Sequence, residues 1–255
     1  MWELTLFDVE VSFRFYGRLN DFLPTRRRAV RFAHRLAGPA SVKDTIEALG
    51  VPHPEVDLIT INGSPCPFNA RVQDGDRVAV YPAFQSIVID SAQRVGVDRP
   101  RPARFALDVH LQALASRLRL AGFDSIVIED DARLAQEGRE RIVLTRDVAL
   151  LKRNAVRCAH WVRQIDPDAQ LAEILRRFDL TSEMELFTRC LRCNTPVVPI
   201  ERDAVQARVP PRTRACVREY HWCPRCEQVY WRGSHYPRLA ELVARARSRA
   251  DQRPD

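Results

Sequence analysis

Four cysteines stand in two pairs, Cys190-Leu-Arg-Cys193 and Cys223-Pro-Arg-Cys226. Two residues between thiols let both sulfurs of a pair point at one ion. Two such pairs close a tetrahedral site that suits zinc and leaves no open position for water. Four unrelated buried or redox thiols account poorly for the repeated spacing. A closed thiolate site organises a module without supplying chemistry, so reacting groups belong upstream. There, Asp108, the pair Asp130 and Asp131, Asp147 and Asp166 each follow a short apolar run. Carboxylates gathered in one place repel one another unless hard divalent cations lie between them, and Mg²⁺ or Mn²⁺ suits such a cage. A metal pair about 4 Å apart can activate water and stabilise the leaving oxygen of a phosphodiester. Each acid also has a structural reading: an Asp after a strand is often the N-cap of the next helix, and Asp166, followed by Pro167, suits a turn. The chain has no Gly-rich phosphate loop and no Gly-x-Ser-x-Gly elbow. His110, His160 and His221 lack a triad-like setting and read as packing or surface residues.

The acids need a scaffold that brings strand ends together. Phe105–Asp108, Ile126–Ile128, Ile142–Leu144 and Cys158–Val162 read as strands. Helical spacing runs from Leu111 to Gly122, over Ala132–Glu137, from Leu150 onward and over Leu171–Phe178. Strands alternating with helices imply parallel βαβ units, whose reactive edge lies at the carboxyl ends of the strands. Four successive strand ends would then deliver the acids to one rim. Upstream, Val9, Val11, Phe13 and Phe15 alternate with polar residues as one strand, and a shorter strand is expected around Ala29–Phe32. Ser41 with Asp44 resembles a capping box opening a helix that stops at Gly50. Leu58–Ile61 and Arg77–Tyr81 complete a small α+β roll, with turns at Asn62-Gly63 and Asp74-Gly75-Asp76. Residues 91–104, with two prolines and no apolar period, read as a linker. The expected organisation is therefore an α/β chain with domains at 1–90, 105–185 and 186–255.

Apolar content of 45% and charged content of 29% place the chain among soluble globular proteins. No stretch approaches the roughly 18 apolar residues of a membrane span, and the N-terminus lacks a signal-peptide pattern. Cys66, Cys158 and Cys216 make an odd total of seven, which argues for a reducing cytoplasm over a disulfide framework. Residues 186–255 carry 14 Arg and no Lys against 7 acids, so the whole net charge of +7 sits in this segment. Arginine mixed with Trp222, Tyr230, Trp231 and Tyr236 suits a phosphate backbone and stacked bases. The competing reading is that Arg is simply the preferred cation, since the only lysines are Lys43 and Lys152. Arg225 and Arg232 are the candidate phosphate contacts. His235 reads equally as an RNA contact or as the start of the helix that includes Leu239 and Leu242.

Val11–Gly17, Ser41–Gly50, Ile61-Asn62-Gly63 and the run Asp74–Pro82 resemble the ubiquitin-like β-grasp of sulfur-carrier proteins. Those carriers end in a free Gly-Gly. Here Pro82 is followed by Ala83-Phe84-Gln85 and a long further chain, so the resemblance implies an adaptor or docking domain with a protein partner, not sulfur transfer. Leu107-Asp108, Leu118 through Asp124 and Arg141 through Asp147 are similar to the Mut-seven C-terminal RNase domain family. So are Arg189 through Asn194, Cys223 through Cys226, and Tyr230 through His235. That resemblance implies a PIN-type nuclease domain joined to a zinc ribbon. Asp108 and Asp147 match its first-strand acid and its Thr-x-Asp acid, either Asp130 or Asp131 fills the middle place, and Asp166 is carried over by spacing. It further implies a cytoplasmic ribonuclease using Mg²⁺ or Mn²⁺, with the ribbon gripping RNA. The competing reading is a non-catalytic RNA-binding or protein-interaction adaptor on the same scaffold.

Overall fold

The computed structural model describes residues 9–83, 90–233 and 236–251. Backbone contacts divide the chain into two units, Met1–Asp98 with Asp147–Trp161, and Arg99–Arg146 with Val162–Asp255. In the first unit, β1 (Val9–Phe15) buries Val11, Phe13 and Phe15 on one side and turns Arg14 outward. It lies between β2 (Phe32–Leu36), antiparallel, and β5 (Arg77–Pro82), parallel. β3 (Val56–Ile61) and β4 (Ser64–Pro65) complete a sheet in the order β2-β1-β5-β3-β4. Helix α1 (Val42–Ala48) opens as expected: the Ser41 hydroxyl accepts from the Asp44 amide at 3.1 Å. Its Val42 and Ile46 pack into the core cluster that includes Phe13 and Val80. The second strand starts later than its apolar run suggests. Ala29 is held at φ 56° while its amide donates to Asn20 Oδ1 at 2.7 Å, so extended chain resumes only at Phe32.

Residues 91–98 are fastened to the first sheet: the Arg94 guanidinium spans both carboxylate oxygens of Asp57, and the Val95 amide donates to the Asp57 carbonyl at 2.8 Å. Residues 147–161, within the span expected for the second domain, group by backbone contacts with the first unit. This segment carries α4 (Val148–Leu151) and β9 (Ala159–Trp161). Lys152 Nζ donates to the Glu47 carbonyl at 2.7 Å, and His53 Nε2 lies 3.0 Å from that of Val156. Most telling is Glu55, fully buried, whose Oε1 accepts the Trp161 amide at 2.7 Å and sits 3.0 Å from His160 Nδ1. A buried acid must find its partners inside the fold, and Glu55 finds them about a hundred residues downstream.

The second unit is built on β6 (Arg104–Asp108), flanked in parallel by β7 (Asp124–Ile128) and β8 (Ile142–Thr145). Phe105, Ala106 and Leu107 are all buried, the continuous apolar run of a strand covered on both faces. Helices α2 (Gln112–Leu120) and α3 (Asp131–Glu137) pack on this sheet, with Leu114, Leu118 and Leu134 buried, and α5 (Pro167–Phe178) packs on α2, with Leu171 and Ile174 buried. Gly122 ends the α2 turn at φ 96°, and a Cβ there would lie 2.2 Å from the Glu185 carbonyl oxygen. Only glycine allows that approach. Beyond it come β10 (Val198–Ile200), α6 (Pro211–Cys216), β11 (Tyr220–Trp222) and β12 (Val229–Trp231), whose three strands pair antiparallel in that order. Helix α7 (Tyr236–Asp251) closes the described chain, with Arg176 of α5 donating to the carbonyls of Arg249 and Ala250. Among the described residues no helix is long and apolar enough to cross a membrane.

The Glu55 contacts generate a test. Removing one partner of a buried, hydrogen-bonded pair costs about 3–5 kcal/mol. Glu55→Ala is therefore expected to lower the urea midpoint and to make the 147–161 segment cleavable by protease. A variant matching the parent in both measurements would show that this segment does not depend on the first sheet.

Candidate metal centre and carboxylate rim

The two cysteine pairs adopt the same backbone. In each, the residue after the second cysteine is left-handed, Asn194 at φ 68° and Glu227 at φ 58°. Its amide donates to the carbonyl of the first cysteine at 2.9 Å in both cases. The first cysteine's own amide donates to the residue two past the second, Thr195 at 2.9 Å and Gln228 at 3.0 Å. These doubled loops aim all four sulfurs inward. Cys190 Sγ lies 3.4 Å from Cys226 Sγ, and Cys193 Sγ lies 3.3 Å from Cys223 Sγ. All four sulfurs fall within 4.8 Å of one another. An ion bound at about 2.3 Å by four sulfurs in a tetrahedron holds neighbouring sulfurs about 3.8 Å apart, so the donor set fits one metal ion. Among the described residues this is the one group of three or more His, Cys, Asp or Glu side chains converging so closely.

The protonation pattern agrees with a site that needs a cation. Burial pushes the Cys193 thiol up, but hydrogen bonds from Thr195 outweigh it and bring it to about 6. Burial and the Cys190 sulfur together push Cys226 up to about 12. Four thiolates at this spacing cannot all ionise without a positive charge among them. Tyr230 braces the first loop, its hydroxyl 3.1 Å from Cys190 Sγ and accepting the Leu191 amide at 3.0 Å. Cys66, Cys158 and Cys216 lie outside the group.

The first loop is also fastened to the parallel sheet. Asn194 Nδ2 donates to Asp124 Oδ1 at 2.8 Å, and Asn194 Oδ1 accepts the Ser125 amide at 3.0 Å. Arg119, with 7% of its surface exposed, donates to the Ser125 carbonyl through Nε and Nη2 and to the Leu191 and Arg192 carbonyls through Nη1. Asp124 also receives Arg141 at 2.9 Å. Burial pulls the Asp124 carboxyl up, yet the Arg141 and Asn194 hydrogen bonds hold it below the ordinary range. Arg119 and Asn194 were invisible as site residues in the sequence. The readable signal was an arginine on the helix face otherwise occupied by Leu114, Ala115 and Leu118.

Asp108 ends β6, Asp130 and Asp131 follow β7, Asp147 follows β8, and Asp166 lies beyond β9; all but Asp131 cap the helix that follows. Asp108 closes β6, with Oδ1 accepting the His110 amide at 2.9 Å and Oδ2 accepting the Thr145 hydroxyl at 3.1 Å. Asp130 accepts the Arg133 amide at 2.7 Å, Asp147 that of Ala149 at 2.7 Å, and Asp166 that of Ala169 at 2.9 Å. Asp131 is the first residue of α3. A model of the Mut7-C RNAse domain family matches residues 103–243. This chain belongs to the Mut7-C RNAse domain family. A second model, Mut7-C ubiquitin, matches residues 8–88, over the five-stranded sheet and α1. Comparison with curated proteins and with solved structures finds no match. Within the Mut7-C RNAse match, Arg225 and Arg232 are exposed, and His235 lies outside the described residues.

The metal centre predicts a pattern of thiol reactivity. In the native protein Cys216, exposed on α6, is expected to alkylate readily while the four paired cysteines resist. Chelation should release one metal ion per chain and open all four to reagent, read by peptide mass mapping. Equal alkylation of all cysteines in the untreated protein would contradict a bound ion.

Proposed function

We propose that this chain is a cytoplasmic, metal-dependent ribonuclease, with Asp108 and Asp147 as principal ligands and Asp130, Asp131 and Asp166 as further acids. The carrying observation is the Mut7-C RNAse match, read with the placement of Asp108 at the end of the central parallel strand, tied to Thr145 at the end of its neighbour. Reactive groups of open parallel sheets gather at this edge. Capping does not exhaust a carboxylate, which offers about four lone-pair sites, so each acid can cap a helix and still ligate. Hard oxygen donors suit Mg²⁺ or Mn²⁺. Such an ion, when bound, would activate water and stabilise the leaving oxygen. The chain's own share is positional: the Thr145 hydroxyl and the His110 amide fix both oxygens of Asp108 before any ion or substrate arrives.

The four-cysteine site is assigned to structural zinc, since it is closed and all-thiolate. The arginine-rich segment around it would grip RNA through Arg225, Arg232 and His235. The Mut7-C ubiquitin domain is assigned to docking a protein partner, and seven cysteines with no disulfide among the described residues suit a reducing compartment. One observation favours a non-catalytic adaptor instead: Asp108, Asp130, Asp147 and Asp166 all serve as N-caps, a sufficient reason for an Asp at each position.

Two substitutions separate these readings. Asn caps a helix nearly as well as Asp, so Asp108→Asn and Asp147→Asn should leave thermal stability almost unchanged. Metal-dependent cleavage of labelled RNA should fall at least about 100-fold in each, as expected when a charge-stabilising group is removed. Cleavage at the parental rate in both variants would eliminate the nuclease reading and leave the adaptor.

A further inference from the structure

A groove of about 830 Å³ opens beside the cysteine module, lined in part by Arg212, Cys216, His221, Tyr230 and Arg232. Its floor follows from strand register. Pro199, His221 and Tyr230 stand opposite one another across β10, β11 and β12, so their side chains share one face of the small sheet. The other face is already used, burying Tyr220 and Val229 against Val205 and Val209. Leu186 and its neighbours form one wall, and α6 forms the other with Arg212 and Cys216. A solvated strand face ordinarily carries long charged residues. This one carries His221, half-buried, beside a tyrosine whose hydroxyl is anchored to the Cys190 loop.

We infer that this groove takes an unpaired RNA base, with the flanking phosphates on Arg212 and Arg232; the inference deepens the RNA-binding part of the proposed function and rests on it. Three features select this occupant. Among the described residues lining the groove, Arg212 and Arg232 stand with one acid, Glu219, within a segment that carries the chain's whole excess of positive charge. Aromatic and imidazole rings accept bases splayed out of a single strand, and arginine beside them tracks the backbone. The volume lies in the range of a small-ligand cleft, the size class of a single base. His221 then supplies a ring edge able both to donate and to accept a hydrogen bond to a base. It was passed over in the sequence because it sits in no catalytic motif.

The test uses the full-length, metal-loaded protein and two single-stranded RNA oligonucleotides of equal length, one carrying abasic residues throughout its centre. His221→Leu should weaken binding of the ordinary strand about tenfold, the lower part of the range for losing one stacked base. It should leave binding of the abasic strand unchanged. In the unmutated protein, the ordinary strand should shield Cys216 from alkylation and the abasic strand should not, a readout independent of how the variant folds. Equal effects of His221→Leu on both strands, or no shielding of Cys216, would overturn the groove assignment. If RNA binding still weakened in Arg225→Ala with a shallower salt dependence, the broader RNA-grip reading would survive that failure. Shielding of Cys216 by peptide but not by RNA would assign the groove to a protein. No binding of either strand by the parent would remove the RNA-grip reading itself.

Discussion

The second unit depends on one buried cation. Arg119 lies where the end of α2, the edge strand β7 and the first cysteine loop meet, and its guanidinium is satisfied by backbone carbonyls from two of them. Among the described residues no carboxylate hydrogen-bonds to it. Burial pulls its pKa down, opposed most by the Cys190 and Cys193 sulfurs and then by Asp124. Four thiolates around a divalent ion would carry a net charge of about −2, so an ion bound there would make the four-cysteine site a counter-charge for a cation otherwise costly to bury. Asn194 doubles the connection, reading both the side chain of Asp124 and the backbone of Ser125. The metal loop thus completes the edge of the sheet instead of hanging from it.

That connection places the cysteine module and Asp130 in one unit. Soft sulfur donors suit a closed structural ion, whereas carboxylates are hard donors at the opposite extreme of the metal preference order. β7 begins at Asp124, in the Arg141 and Asn194 network, and ends at Ile128, two residues before Asp130. One short strand therefore runs from the thiolate module to the carboxylate edge. The groove proposed for an RNA base lies on the module side, so RNA held there would be presented to the strand that leads to Asp130.

Much of this was readable in the sequence, for physical reasons that differ by element. Alternation in β1, the continuous apolar runs of β6 and β8, and the Ser41 and Asp44 pairing act through local periodicity and appear where expected. The doubled Cys-x-x-Cys spacing specifies its own geometry. Glu55 was not readable, because a lone acid in a loop gives no sign that its partners lie at His160 and Trp161. The same blindness hid the assignment of 147–161 to the first unit and the Arg94 to Asp57 fastening of the linker. Arg119 and His221 were hidden for a related reason: their roles come from what the fold brings to them, not from their neighbours in the chain. The dual character of the acids was legible as a choice between capping and ligation. The structure shows the capping bonds in place at four of them.

Hydrogen exchange at β7 tests the central link most directly. The Ser125 amide is bonded to a side chain of the metal loop, so its protection reports on the connection itself. Comparing metal-loaded with chelated protein, the account predicts that exchange accelerates at Ser125 and along Ile126–Ile128 together with the amides of the cysteine loops. Loss of protection confined to the cysteine loops, with Ser125 through Ile128 unchanged, would mean that the metal module and the sheet are independent.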